Sequence, residues 1–187
     1  MLAYPVSSKP IDYSKPVFIQ PKLDGVRCLI QYDKGVVTAY SRTGKEWKNI
    51  EHILDNLYKF FNLNPNVVLD GELYNHDFKD DFEQIISMVR KTKPTHEARV
   101  KSRDNVQFHC YDIVNKKMKF STRDKWITEY LPTSYCVKHV PTRKVTTESG
   151  AKLVHQEHLK AGYEGSIVRL DTPYQCKRSH SLRKFKD

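Results

Sequence analysis

The sequence has 187 residues, enough for one domain with a buried core, and its 39% apolar and 29% charged residues exclude extended disorder. Lys and Arg total 32 against 22 Asp and Glu. The resulting net charge of +10 points to a polyanionic partner, usually nucleic acid, with a solvated basic surface as the other reading. No apolar run approaches the ~20 residues of a membrane helix, and Met1-Leu2-Ala3-Tyr4-Pro5 lacks the regions of a signal peptide. No membrane association and an intracellular setting are the expectation. Cys28, Cys110, Cys136 and Cys176 form no C-x-x-C pair, so they read as reduced thiols, with Cys28 and Cys110 in the core.

In chain order, Val17 to Tyr32 reads as strand broken by a turn at Asp24-Gly25, and Asp33-Lys34-Gly35 as a hairpin turn into a strand over Val36 to Tyr40. Ile53, Leu54, Leu57, Tyr58 and Phe61 recur at the helical period, which predicts a helix from Ile50 to Phe61. A strand is expected over Asn66 to Tyr74, and an amphipathic helix over Asp80 to Arg90. The basic stretch Lys91 to Asn105, with Pro94, reads as a mobile loop or a broken helix. Val106 to Val114 follows as strand, then a helix from Thr122 to Tyr130 with Thr122 as its cap, and a short strand from Tyr135 to Val140. Ser149 to Ala161 reads as a helix stopped by Gly162, Gly165 to Leu170 as strand, and Arg183 to Asp187 as the start of a last strand. Strands and helices interleave without regular βαβ alternation, so the expected class is α+β, a single domain over residues 1–187.

Lys22-Leu23-Asp24-Gly25-Val26-Arg27 places an amine at a strand end and a guanidinium just past a tight turn. A lysine is nucleophilic only when neutral, and burial or neighbouring cations such as Arg27, Lys184 and Lys186 favour that form. Alone, the hexapeptide also reads as an ordinary hairpin with surface charges. Five further blocks follow it: Ser41-Arg42-Thr43-Gly44-Lys45, Asp70-Gly71-Glu72, Tyr111-Asp112, Glu164-Gly165 with Arg169, and Lys184-Phe185-Lys186.

Together, in this order and approximate spacing, these blocks resemble the motifs of the covalent nucleotidyltransferases: ATP-dependent DNA ligases, RNA ligases and messenger-RNA capping enzymes. The resemblance is strongest to the adenylation domain of ATP-dependent DNA ligases and implies an ATP-grasp-like fold of antiparallel sheets flanked by helices. It also implies a reaction in which Lys22 attacks the α-phosphate of ATP and forms a lysyl-adenylate. AMP then passes to the 5′-phosphate of a nick, and the 3′-hydroxyl displaces it.

By the same resemblance Lys184 and Lys186 approach the α-phosphate. Glu164 holds Mg2+ (or Mn2+), and Asp24 is a structural acid. Glu72 accepts from the ribose, Tyr111 stacks on adenine, and Gln20 meets the adenine amino group where relatives carry Glu. Arg27 contributes to the nucleotide site and, with Arg42 and Arg169, to the nick phosphate. Lys91, Lys93, Arg99, Lys101 and Arg103 extend a grip on nicked duplex DNA or are simply solvated. His155 and His158 share a helix face but lack further ligands, so they read as exposed helix residues.

The implied protein is a monomer in the cytoplasm of a bacterial or phage-infected cell, or in the nucleus if eukaryotic. The resemblance implies an OB domain downstream. Without it, ATP-driven self-adenylation by this chain is expected to be impaired, with sealing of a preadenylated nick partly kept. The alternatives are an RNA ligase, or a catalytically silent nucleic-acid-binding module. Lys22, Glu72, Glu164 and Lys186 are all present, which argues against the silent module.

Overall fold

The computed structural model describes residues 1–186, in which ten strands form two five-stranded sheets. The first sheet contains β1 (Leu2–Pro5), β2 (Val17–Lys22), β8 (Arg143–Val145), β9 (Gly165–Leu170) and β10 (Arg178–Phe185), in the order β1-β10-β9-β2-β8. The second contains β3 (Val26–Asp33), β4 (Val36–Tyr40), β5 (Val68–Tyr74), β6 (Gln107–Ile113) and β7 (Val137–His139), in the order β4-β3-β5-β6-β7. Pairing is antiparallel except at β1–β10 and β6–β7. The helices are α1 (Glu51–Leu63), α2 (Phe82–Val89), α3 (His96–Asn105), α4 (Phe120–Tyr130) and α5 (Glu148–Lys160), which gives the expected α+β class.

The chain forms two compact units. Unit 1 comprises Met1–Leu23, Asn115–Trp126 and the described residues from Val140 onward; unit 2 comprises Asp24–Val114 and Ile127–His139. The Asp24-Gly25 turn is therefore not a hairpin: β2 and β3 belong to different sheets.

Unit 1 is built on alternation. Val17 and Ile19 point to one face of β2 and pack with Val168 of β9, Val145 of β8, and Ala151 and Val154 of α5. Each such side chain, fully buried, stabilises by roughly 1.5–3 kcal/mol. The Thr147 hydroxyl caps α5 by accepting from Gly150 N at 2.9 Å, and Gly162, at φ +92°, ends it in the left-handed region.

In unit 2, α1 buries Ile53, Leu57, Phe60 and Phe61, the spacing of one helical face. The β3–β4 hairpin turns through Lys34 and Gly35 at φ +50° and +82°. The basic stretch before β6 is partly ordered as α3. Thr95 caps it at Ala98 N, and Ser102 is buried with its hydroxyl donating to Asn49 O at 2.5 Å. Helical propensity alone does not show these tertiary bonds. α4 begins earlier than expected and Thr122 lies inside it; Asp171 accepts from Ser121 N at its start. β1, β8 and most of β10 are additional to the expected elements, and of the expected last strand Asp187 lies outside the described residues.

Candidate active site

The face of the first sheet that does not meet α5 carries polar residues at alternate positions. Register places Lys22 beside Gly165, Gln20 beside Ile167 and Lys184 across from Ile167, while Phe185 pairs with Ser166. Lys186 follows Phe185 and so comes alongside Gly165, on the opposite side from Lys22. Glu164, just before that glycine, reaches both lysines: Lys22 Nζ donates to Oε2 at 3.1 Å, and Lys186 Nζ binds Oε1. Burial works to raise the Glu164 pKa, but the hydrogen bonds and charges of Lys186 and Lys22 outweigh it and hold the carboxyl below its ordinary value. The side chains remain open to solvent, at 22% for Lys22 and 30% for Glu164.

Gly165 permits this arrangement. A Cβ there would collide with the Phe185 carbonyl oxygen and lie 3.4 Å from Lys186 Cγ. Gly165→Ala is expected to push β10 from β9 and to cost about 1–3 kcal/mol in urea unfolding. An unchanged unfolding midpoint would show that the two strands have room to spare.

Gln20 is 2% exposed. Its Nε2 donates to Thr142 Oγ1 at 3.0 Å, and its Oε1 accepts from Arg169 Nε at 2.6 Å. Arg169 is expected at the nick phosphate, yet it is 4% exposed, with its guanidinium carbon 5.0 Å from the Phe120 ring centroid. It is an interior brace for Gln20, because its strand position faces Phe18 and Phe120.

Unit 2 brings together the other candidates. Arg27 pairs with Glu72 across β3 and β5, and its guanidinium forks onto Asp70, Nε to Oδ1 at 3.0 Å and Nη2 to Oδ2 at 2.8 Å. Asp70 is 2% exposed. The Trp47 indole donates to Arg27 O at 3.2 Å. Tyr111 sits at a β-bulge, between Cys110 paired to Gly71 and Asp112 paired to Asp70. From there its hydroxyl donates to Glu72 Oε1 at 3.1 Å. A Cβ on Gly71 would meet the Phe108 ring at 2.8 Å, so the glycine lets β5 and β6 approach. Arg42 is exposed in a turn where Ser41 N donates to Lys45 O at 2.7 Å and Gly44 adopts φ +87°.

Asp70 is legible in the sequence only as a motif residue, and Thr142 lies outside every expected element; the partners of both come from the fold. Alternation does place Asp70 on the face of Glu72, which is the signal that could have found it. His155 and His158 are not exposed as expected. His155 is 1% exposed, and both rings share Ser166 Oγ, at 2.9 and 2.7 Å. Burial, then the charges of His155 and Arg143, take the His158 pKa down to about 4. Among the described residues no three His, Cys, Asp or Glu side chains gather as a metal site. No helix among them is long and apolar enough to cross a membrane.

Lys22 is thus held by a carboxylate on the first sheet, and Glu72, Tyr111 and Arg27 stand together on the second. The chain belongs to the ATP dependent DNA ligase domain family, which it matches over residues 1–186. It is 28% identical over 165 residues to a DNA ligase of African swine fever virus, covering 84% of this chain and 37% of that one. The chain thus spans well under half of that relative's length. Two solved structures share the fold. Pmar-Lig_PreS3 has TM-score 0.80 and 25% identity over all of this chain and 46% of the other. The Chlorella virus DNA ligase-adenylate has TM-score 0.75 and 19% identity over all of this chain and 66% of the other.

Proposed function

We propose that this chain is the adenylating part of an enzyme that seals nicks in duplex DNA with ATP, and that its two units serve as one nucleotidyltransferase domain. The observation that carries the reading is Glu164 held between Lys22 and Lys186, three residues joined across 142 positions of sequence in the case of Lys22 and Glu164. Lys22 Nζ gives up a proton, for which Glu164 Oε2 is the acceptor in contact, and forms a bond to the α-phosphorus of ATP. The bond from that phosphorus to the bridging oxygen breaks and pyrophosphate leaves. Lys184 and Lys186 act as fixed cations for the phosphate oxygens.

Tyr111 stacks on adenine and Glu72 accepts from ribose hydroxyls, their mutual hydrogen bond holding both in one orientation. Gln20 turns toward the base, braced by Arg169 and Thr142. Arg42, exposed on its turn, is the best-placed contact for the nick phosphate, whereas Arg27 acts through Asp70. Glu164 is a single carboxylate, which fits Mg2+ or Mn2+ held mainly by phosphate oxygens; a bound ion would compete with the two lysines for it. The ion would neutralise charge on the leaving phosphates.

The test is intact mass after incubation with ATP and Mg2+, followed by a nicked duplex carrying a 5′-phosphate. The expected result is a gain of one AMP that disappears as the strand is sealed, faster with DNA than with RNA at the nick and absent with GTP. Faster sealing of RNA would favour the RNA ligase. Absence of adduct, together with failure to seal a preadenylated nick, would overturn the enzyme in favour of a binding module.

A further inference from the structure

Unit 1 holds a second basic site, apart from the Lys22 face. A cavity of about 520 Å³ is lined by Lys9, Lys15, Lys119, His180 and Arg183 among others. Two carboxylates also line it, but each is already occupied. Asp12 accepts from Ser14 N at 3.0 Å and Ser14 Oγ at 2.6 Å. Asp171 accepts from Ser121 N at 2.7 Å and Ser121 Oγ at 3.0 Å, and Lys119 Nζ stands 3.9 Å from it.

Arg183 is 1% exposed and makes no ion pair with a carboxylate among the described residues. Its Nη1 donates to Lys9 O at 2.6 Å and its Nε to His180 O, both uncharged acceptors. A buried cation without a counter-charge is costly, and the cost falls if an anion enters beside it. Independently, Thr172 also lines the cavity, and its Oγ1 is buried with no hydrogen-bond partner among the described residues. The field is positive there: desolvation, and then the charges of Arg183 and Lys9, hold the His180 pKa below its ordinary value.

We propose that this cavity binds a phosphate group, with Arg183 and Thr172 as inner donors and Lys9, Lys15 and Lys119 as its charged rim. The shared chemistry is a phosphate oxyanion, supplied either by free phosphate or by the backbone of a nucleic acid.

The test is an NMR titration of this chain with inorganic phosphate at constant ionic strength set by chloride, repeated with a short blunt duplex. Phosphate is expected to give saturable shifts at Thr172, His180 and the Arg183 Nε–H. Lys15→Ala with Lys119→Ala, both at exposed positions, is expected to weaken that binding about tenfold, and Thr172→Val to weaken it several-fold. A duplex that moves the same signals and competes with phosphate identifies the backbone as the source. Phosphate acting without the duplex identifies a free anion. Shifts no larger than chloride produces, or affinity unchanged in the lysine variant, would overturn the proposal.

Discussion

Lys22→Ala is expected to abolish the protein–AMP adduct, lowering its rate of formation by at least about 10³-fold, and to leave folding nearly unchanged. The first half follows from the proposed reaction, since among the described residues only Lys22 and Lys186 form ion pairs with Glu164. Lys22→Arg should fail equally, because a guanidinium stays charged and cannot attack. The second half follows from exposure. The Lys22–Glu164 pair is partly solvated, and such pairs contribute about 0–1 kcal/mol. Intact mass and urea unfolding, measured on the same preparations, separate the two effects. An adduct that survives in Lys22→Ala would move the nucleophile to Lys186 or Lys184.

Arg27→Ala should behave in the opposite way, as a stability variant first. Its guanidinium is the bidentate partner of a carboxylate 2% exposed, so truncation leaves a buried charge without it. Breaking one side of such a pair costs about 3–5 kcal/mol, or roughly 6–20 °C in melting temperature for a chain of this size. Arg27→Met combined with Asp70→Asn removes both charges and should recover most of the loss. If Arg27→Ala melts with the parent while nick sealing falls, the guanidinium works at the substrate and the ion pair is incidental.

Most strands and helices were legible because their apolar spacing is regular: α1 and α5 show it along one face, β2 along one side. What escaped is short or held from elsewhere. β8 is three residues long and pairs only with β2, and α3 depends on a Thr95 cap and a buried Ser102 bond. For the candidate site, motif order gave the residue types, while their partners came only from the fold. Arg169 illustrates the limit. A basic residue in a motif reads as a phosphate contact, yet strand register turns it inward onto Gln20. His155 and His158 illustrate it too, because helical spacing reveals a shared face but not that Ser166 lies beneath it.

The discontinuity of unit 1 bears on the order in which the chain acquires structure. Unit 2 draws most of its strands from one continuous stretch, Asp24–Val114, so its β3–β4 hairpin closes a short loop and its β3–β5 and β5–β6 ladders close loops far shorter than the one that joins β2 to β9. β2 has no such neighbour: both its partners, β8 and β9, come from the far end of the sequence. Its ladders have to wait for the slowest loop closures, and during synthesis they wait for residues not yet made. Lys22 therefore emerges early from the ribosome but meets Glu164 and Lys186 only once residue 186 has been made, so this three-residue contact is among the last features of the first sheet to form.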